Sequence, residues 1–149
     1  MMKGERGFTL VELLIATAIT GLIVGVLGTA IYQIVTVTDY GNERLIAMHE
    51  LQNAAHWFNL DGQEARTATG GAELSLALSD NSSVIYTVNG TELRRTAGDV
   101  TLTLARNITS ANFSVANNII TMTLVSSPEG RWGVSEQGTY QVSPRPTQE

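Results

Sequence analysis

The chain has no cysteine. That excludes disulfides, thiolate metal centres and cysteine nucleophiles. Proline is almost as scarce, and none occurs before Pro128, so nothing upstream of it is kinked by proline. Lysine appears once, at Lys3, and the net charge is −5. Without a basic cluster, an acidic chain argues against nucleic-acid binding as its main business. The most consequential absence is local: no charged side chain occurs from Leu13 to Thr38. The apolar residues are concentrated there, while the remainder is rich in Thr, Ser, Asn and Gly. The 43% hydrophobic content therefore overstates the core. Setting the apolar run aside leaves about a hundred residues, enough for one modest domain.

As a helix, the uncharged run would extend roughly 39 Å at about 1.5 Å per residue. A hydrocarbon core of about 30 Å requires less. Lys3 and Arg6 precede it, which directs the N-terminus to the cytoplasm and the C-terminal domain outside. Ala16-Thr17-Ala18 resembles a secretory cleavage site. However, the apolar run before it is short and holds Glu12, and it continues well beyond. A plain uncleaved anchor fits the composition and leaves Glu12 unexplained. A carboxylate central in such a helix costs about 2.5–3.5 kcal/mol, and less near an end. No basic side chain lies between Phe8 and Arg44. A partner for Glu12 must come from another chain or from a terminal amine. Gly21, Gly25 and Gly28 fall on one side of the same helix. Their spacing suits close helix packing, although glycine is also simply common in membrane helices.

Gly7-Phe8-Thr9-Leu10-Val11-Glu12-Leu13-Leu14-Ile15 resembles the prepilin signature of type IV pilins and type II secretion pseudopilins. The resemblance implies cleavage after Gly7 by a membrane-embedded prepilin peptidase and N-methylation of Phe8. It also implies pairing of Glu12 with the new N-terminal ammonium, in its own chain or a neighbouring subunit, as a device for register and assembly. The implied partners are other pilins or pseudopilins, met through the N-terminal helix, the peptidase and an inner-membrane assembly platform.

Beyond the apolar run, Val37, Tyr40, Arg44, Met48, Leu51, Ala55, Phe58, Gly62 and Ala65 recur at three- or four-residue steps. Glu43, Glu50, Gln52, Asn59 and Gln63 oppose them, which predicts an amphipathic helix with one side on a core. Thr36-Val37-Thr38 and Gly41 are weak helix formers. Gly70-Gly71 reads as the stop, so the helix is expected to reach Arg66 or Ala68. After it come short alternating runs: 73–78, 84–88, 91–96, 100–104, 113–116, 119–125 and 139–142. They are separated by Ser79–Ser82, Asn89-Gly90, Ala97–Asp99 and Asn117-Asn118. Pro144-Arg145-Pro146 reads as a fraying tail. The expected fold is α+β: a long N-terminal helix, half membrane-spanning and half amphipathic, packed on an antiparallel sheet. The expected divisions are a leader at 1–7, a transmembrane and filament-core helix at 8–38, its amphipathic continuation at 39–68, and a β-rich region at 69–149.

Ile85–Arg95, with Leu104–Ile108 downstream, is similar to J-type minor pseudopilins and related minor pilins, whose strand–turn–strand pattern ends in L-x-R. The calcium-loop pattern of major pseudopilins is not found, and Asp61, Asp80 and Asp99 are dispersed. The disulfide of many major pilins is impossible without cysteine. His49 and His56 stand seven apart, whereas metal-binding pairs on a helix stand three or four apart, so no metal or other cofactor is expected. Arg94 and Arg95 could touch DNA, as in competence pilins, but neighbouring strand residues face opposite ways. No nucleophile–base, phosphate-loop or paired-carboxylate constellation is visible, so no enzymatic activity is expected. The reading is a minor pseudopilin or minor pilin, anchored by one pass in the inner membrane and then built into a periplasmic or surface filament. A competence pilin or a simple membrane-anchored binding domain are the alternatives.

Overall fold

The computed structural model describes residues 7–144. The leader up to Arg6 and the tail from Arg145 lie outside them, so the expectations for Lys3, Arg6 and the fraying end do too. The chain divides into two compact units, Met1–Asp39 and Tyr40–Glu149. Helix α1, Leu10–Glu64, contributes to both, and its helical assignment continues through Thr36–Thr38 and Gly41.

In the first unit, no described residue is buried. The helix there has a mean hydropathy of 2.4 over its most apolar window. Four of its hydroxyls are satisfied within the helix: those of Thr17, Thr20, Thr29 and Thr38 donate to the carbonyls of Leu14, Ala16, Val26 and Ile34. Such internal satisfaction is what a hydrocarbon environment demands of a helix.

In the second unit, α1 packs on antiparallel β-structure. The first sheet is a five-stranded meander of β1 (Ala65–Thr69), β2 (Leu74–Leu78), β3 (Ser83–Asn89), β4 (Glu92–Ala97) and β5 (Val100–Ala105). The second holds three strands: β6 (Ile108–Ala116), β7 (Ile119–Ser126) and β8 (Glu136–Val142). The expected single sheet is thus two. The break falls at Arg106-Asn107, where Asn107 takes φ 56° and Ile108 N–H turns to the Thr91 carbonyl.

The turns account for the register. Asn117 and Asn118 both have positive φ between Ala116 and Ile119, the type I′ pattern. Asn89 pairs with Glu92, so the β3–β4 loop is Gly90-Thr91, one residue later than the Asn-Gly signal suggests. Gly90 alone has positive φ there, as in a type II′ turn.

The helix is corrected at its end. It stops at Glu64, and Ala65–Thr69 is a strand that pairs antiparallel with β2 across a bulge. Thr67 and Thr69 favour the pleated conformation, and pairing with β2 overrides the helical periodicity. Gly70 and Gly71 consequently end no helix. They join the sheets: Gly71 bridges to Phe113, and a Cβ on Gly70 would lie 2.7 Å from the Phe113 carbonyl oxygen.

One core serves both sheets. Leu51, Ala54 and Phe58 of α1 meet Leu74, Leu76, Val84, Tyr86 and Leu93 from the first sheet and Phe113, Ile120, Met122 and Leu124 from the second. Small residues let the helix approach; a Cβ on Gly62 would overlap the Val142 side chain.

Candidate processing and assembly segment

Gly7, Phe8 and Thr9 precede the helix in non-helical backbone, and Leu10 is the first helical residue. Thr9 is the N-cap. Its carbonyl accepts from Leu13 N–H at 3.2 Å, and its hydroxyl oxygen accepts from Glu12 N–H at 3.3 Å. The Glu12 carboxylate in turn accepts from Thr9 N–H at 3.0 Å and from the Thr9 hydroxyl at 2.9 Å. This reciprocal arrangement is a capping box, written in the sequence as Thr-x-x-Glu. Among the described residues no basic group pairs with Glu12. Phe8 is 84% exposed.

Gly21, Gly25 and Gly28 share one stripe of α1, and nothing lies within 4 Å of a Cβ built on any of them. Whatever they pack against is not in this chain's own first unit. The flanking apolar side chains Leu22, Ile23, Val26 and Leu27 are exposed as well.

Two features escaped sequence reasoning. Thr9 belongs with Glu12, and the Thr-x-x-Glu spacing could have shown it. The other is Asp61, read as one of several dispersed acids. It is only 5% exposed and binds Arg95 through two hydrogen bonds of 2.6 and 2.7 Å, while the buried Tyr86 hydroxyl also donates to it. Arg95 lies over the Trp57 ring, 4.8 Å from its centroid. Burial, then the hydrogen bond to the Asp61 carboxylate, pushes the Tyr86 phenol far above its ordinary value. The same carboxylate raises Arg95 further. No local pattern announces this cluster, because its members come from α1, β3 and β4.

Arg94 turns the other way and pairs with Glu92 at 2.8 Å, with Arg106 3.8 Å from the same carboxylate. The two arginines therefore do not form one basic patch. His49 and His56 are both exposed, and among the described residues no group of three potential ligands surrounds a metal position.

A family model described as the prokaryotic N-terminal methylation motif matches residues 2–28. That motif, on 27 of the 149 residues, supports a type IV pilin-like protein. The matched stretch contains Gly7, Phe8, Thr9, Glu12 and all three helix glycines. No curated protein and no solved structure matches the chain. The pilin-like motif implies processing by a prepilin peptidase and assembly with other pilins. It supports a pilin-type structural subunit, and with the apolar helix that follows it suggests a membrane anchor.

Proposed function

We propose that this pilin-like chain is a minor pseudopilin or minor pilin, cut after Gly7, N-methylated at Phe8, and incorporated into a short filament through α1. The observation that carries this reading is Glu12. It is the one charged side chain between Phe8 and Thr38, in the half of α1 that buries none of its residues, and it sits in the first turn, beside the amine that cleavage would create. A lone charge in a water-poor site is costly and a paired one much less so, which makes the pairing a register device between subunits. The absence of cysteine and of a calcium-loop pattern supports a minor rather than a major subunit. The strand–turn–strand of β3 and β4, with Leu93-Arg94-Arg95 in its second strand, supports the likeness to J-type members. In this reading the N-terminus is cytoplasmic, the β-rich unit lies outside, and an inner-membrane platform drives assembly.

The test is a pair of variants of the full chain expressed with its assembly system. Gly7→Val should remain at precursor mass on a gel. Glu12→Ala should still be cut to mature mass yet be lost from sheared or purified filaments. Normal recruitment of Glu12→Ala would sink the assembly role.

A further inference from the structure

The Thr9–Glu12 capping box stands next to the bond at which processing is proposed. Gly7–Phe8 lies outside the helix, with only Phe8 and Thr9 between it and Leu10. A peptidase needs its scissile bond in extended backbone, because helical hydrogen bonding holds the carbonyl and amide away from an attacking water. We propose that Thr9 is a positioning residue for cleavage: through the capping box it stops the helix at Leu10 and keeps Gly7–Phe8 extended. The proposal rests on the processing reading above.

The physical reason lies in the first-turn N–H groups. A helix leaves four of them without intrahelical partners, and in a bilayer each unsatisfied group is expensive. The box satisfies two: Thr9 Oγ1 takes Glu12 N–H, and the Glu12 carboxylate takes Thr9 N–H. Without the box, the available remedy is to lengthen the helix backward, so that carbonyls of residues 6–8 accept from residues 10–12. That draws Gly7–Phe8 into the helix. The weak helix propensity of Gly7 opposes such lengthening, so glycine and cap act in the same direction. The box also acts after the cut. With Thr9 N–H held by Glu12, the carboxylate stands one residue from the new amine on Phe8.

The experiment is a time course of cleavage of the full-length precursor in membranes containing prepilin peptidase. It compares wild type with Thr9→Val, Thr9→Asn and Glu12→Gln, with membrane insertion of each checked by carbonate extraction. Valine keeps the shape and removes both hydroxyl functions. Asparagine is a good N-cap without a hydroxyl, and glutamine at the third helical position keeps the box without its charge. Thr9→Val should slow cleavage about fivefold, the size expected for losing a cap, while Thr9→Asn and Glu12→Gln stay within about twofold of wild type. Backbone chemical shifts in micelles should show the helix reaching Phe8 or Gly7 in Thr9→Val alone. Wild-type cleavage of Thr9→Val overturns the proposal. Equal slowing of Thr9→Val and Thr9→Asn overturns it too, since it would mean that the peptidase reads the hydroxyl directly. An uncut wild type would instead remove the processing reading itself.

Discussion

Asp61 shows what a single residue can do that its neighbours in sequence do not disclose. A buried carboxylate is tolerated only when paired and hydrogen-bonded, and Asp61 meets both conditions through Arg95 and Tyr86. The three side chains pin the last turns of α1 to the middle of the first sheet. Truncating Asp61 leaves a nearly buried guanidinium and a fully buried phenol without their acceptor. Asp61→Ala should therefore cost about 3 kcal/mol, read as a lower denaturation midpoint of the Tyr40–Glu149 unit in urea. Replacing all three together, as Asp61→Leu with Arg95→Met and Tyr86→Phe, should recover most of that loss, because an apolar cluster of similar volume avoids the desolvation of both charges and leaves no buried hydroxyl without an acceptor. A triple variant as unstable as the single one would show that the helix end needs the charges themselves. Glu12 was legible from sequence because a lone charge in an uncharged run declares itself. Asp61 was not, because its justification lies 34 residues downstream in Arg95.

At the scale of elements, what could be read followed from local chemistry. The two asparagines at 117 and 118 and the glycines at 90 and 98 set positive-φ turns, and the strand ends at those turns fall within a residue or two of expectation, whereas β6 begins at Ile108 rather than 113 and β8 at Glu136 rather than 139. The strand β1 did not, since Arg66-Thr67-Ala68-Thr69 has no apolar alternation, and only its pairing with Leu76 and Leu78 makes it a strand. The Gly70-Gly71 pair was seen but misassigned, because a glycine that ends a helix and one that lets two backbones meet look alike in sequence. Their difference is measurable. A methyl group at Gly70 would press on the Phe113 carbonyl and the Ser114 Cα, which are backbone atoms that cannot swing aside. Gly70→Ala should destabilise the domain by about 2 kcal/mol, within the range for overpacked sites. Gly41→Ala is the matched control: nothing lies within 4 Å of its Cβ, and removing a glycine from a helix should stabilise by up to about 1 kcal/mol. Thermal unfolding of the two variants should move in opposite directions. A neutral Gly70→Ala would show that the strand exits can separate without loss.

For the whole molecule, the sequence divides function between two kinds of surface. Up to Asp39 the helix buries nothing of its own, as expected of a segment whose packing partners are lipid and other subunits. Among the described residues, every buried side chain belongs to the second unit, from Ala47 in α1 to Pro144 beyond β8. That unit also holds its own polar fastenings along the helix. Arg44 pairs with Glu136 at 2.7 Å, Glu43 receives Trp132 N–H, Glu50 receives Arg106 N–H, and Asn53 donates to the Leu104 carbonyl. The stability of the β-rich unit should then be independent of the anchor. A chain beginning at Tyr40 keeps all of these contacts and places Glu43 in the first turn of the shortened helix, where a negative charge is favourable. It should remain in solution without detergent, show one cooperative urea transition, and match the midpoint of the full chain in detergent to within about 0.5 kcal/mol, the scale of changes remote from the core. A midpoint several kcal/mol lower, or a broad transition with early loss of helical signal, would mean that the membrane half of α1 nucleates the fold as well as anchoring it.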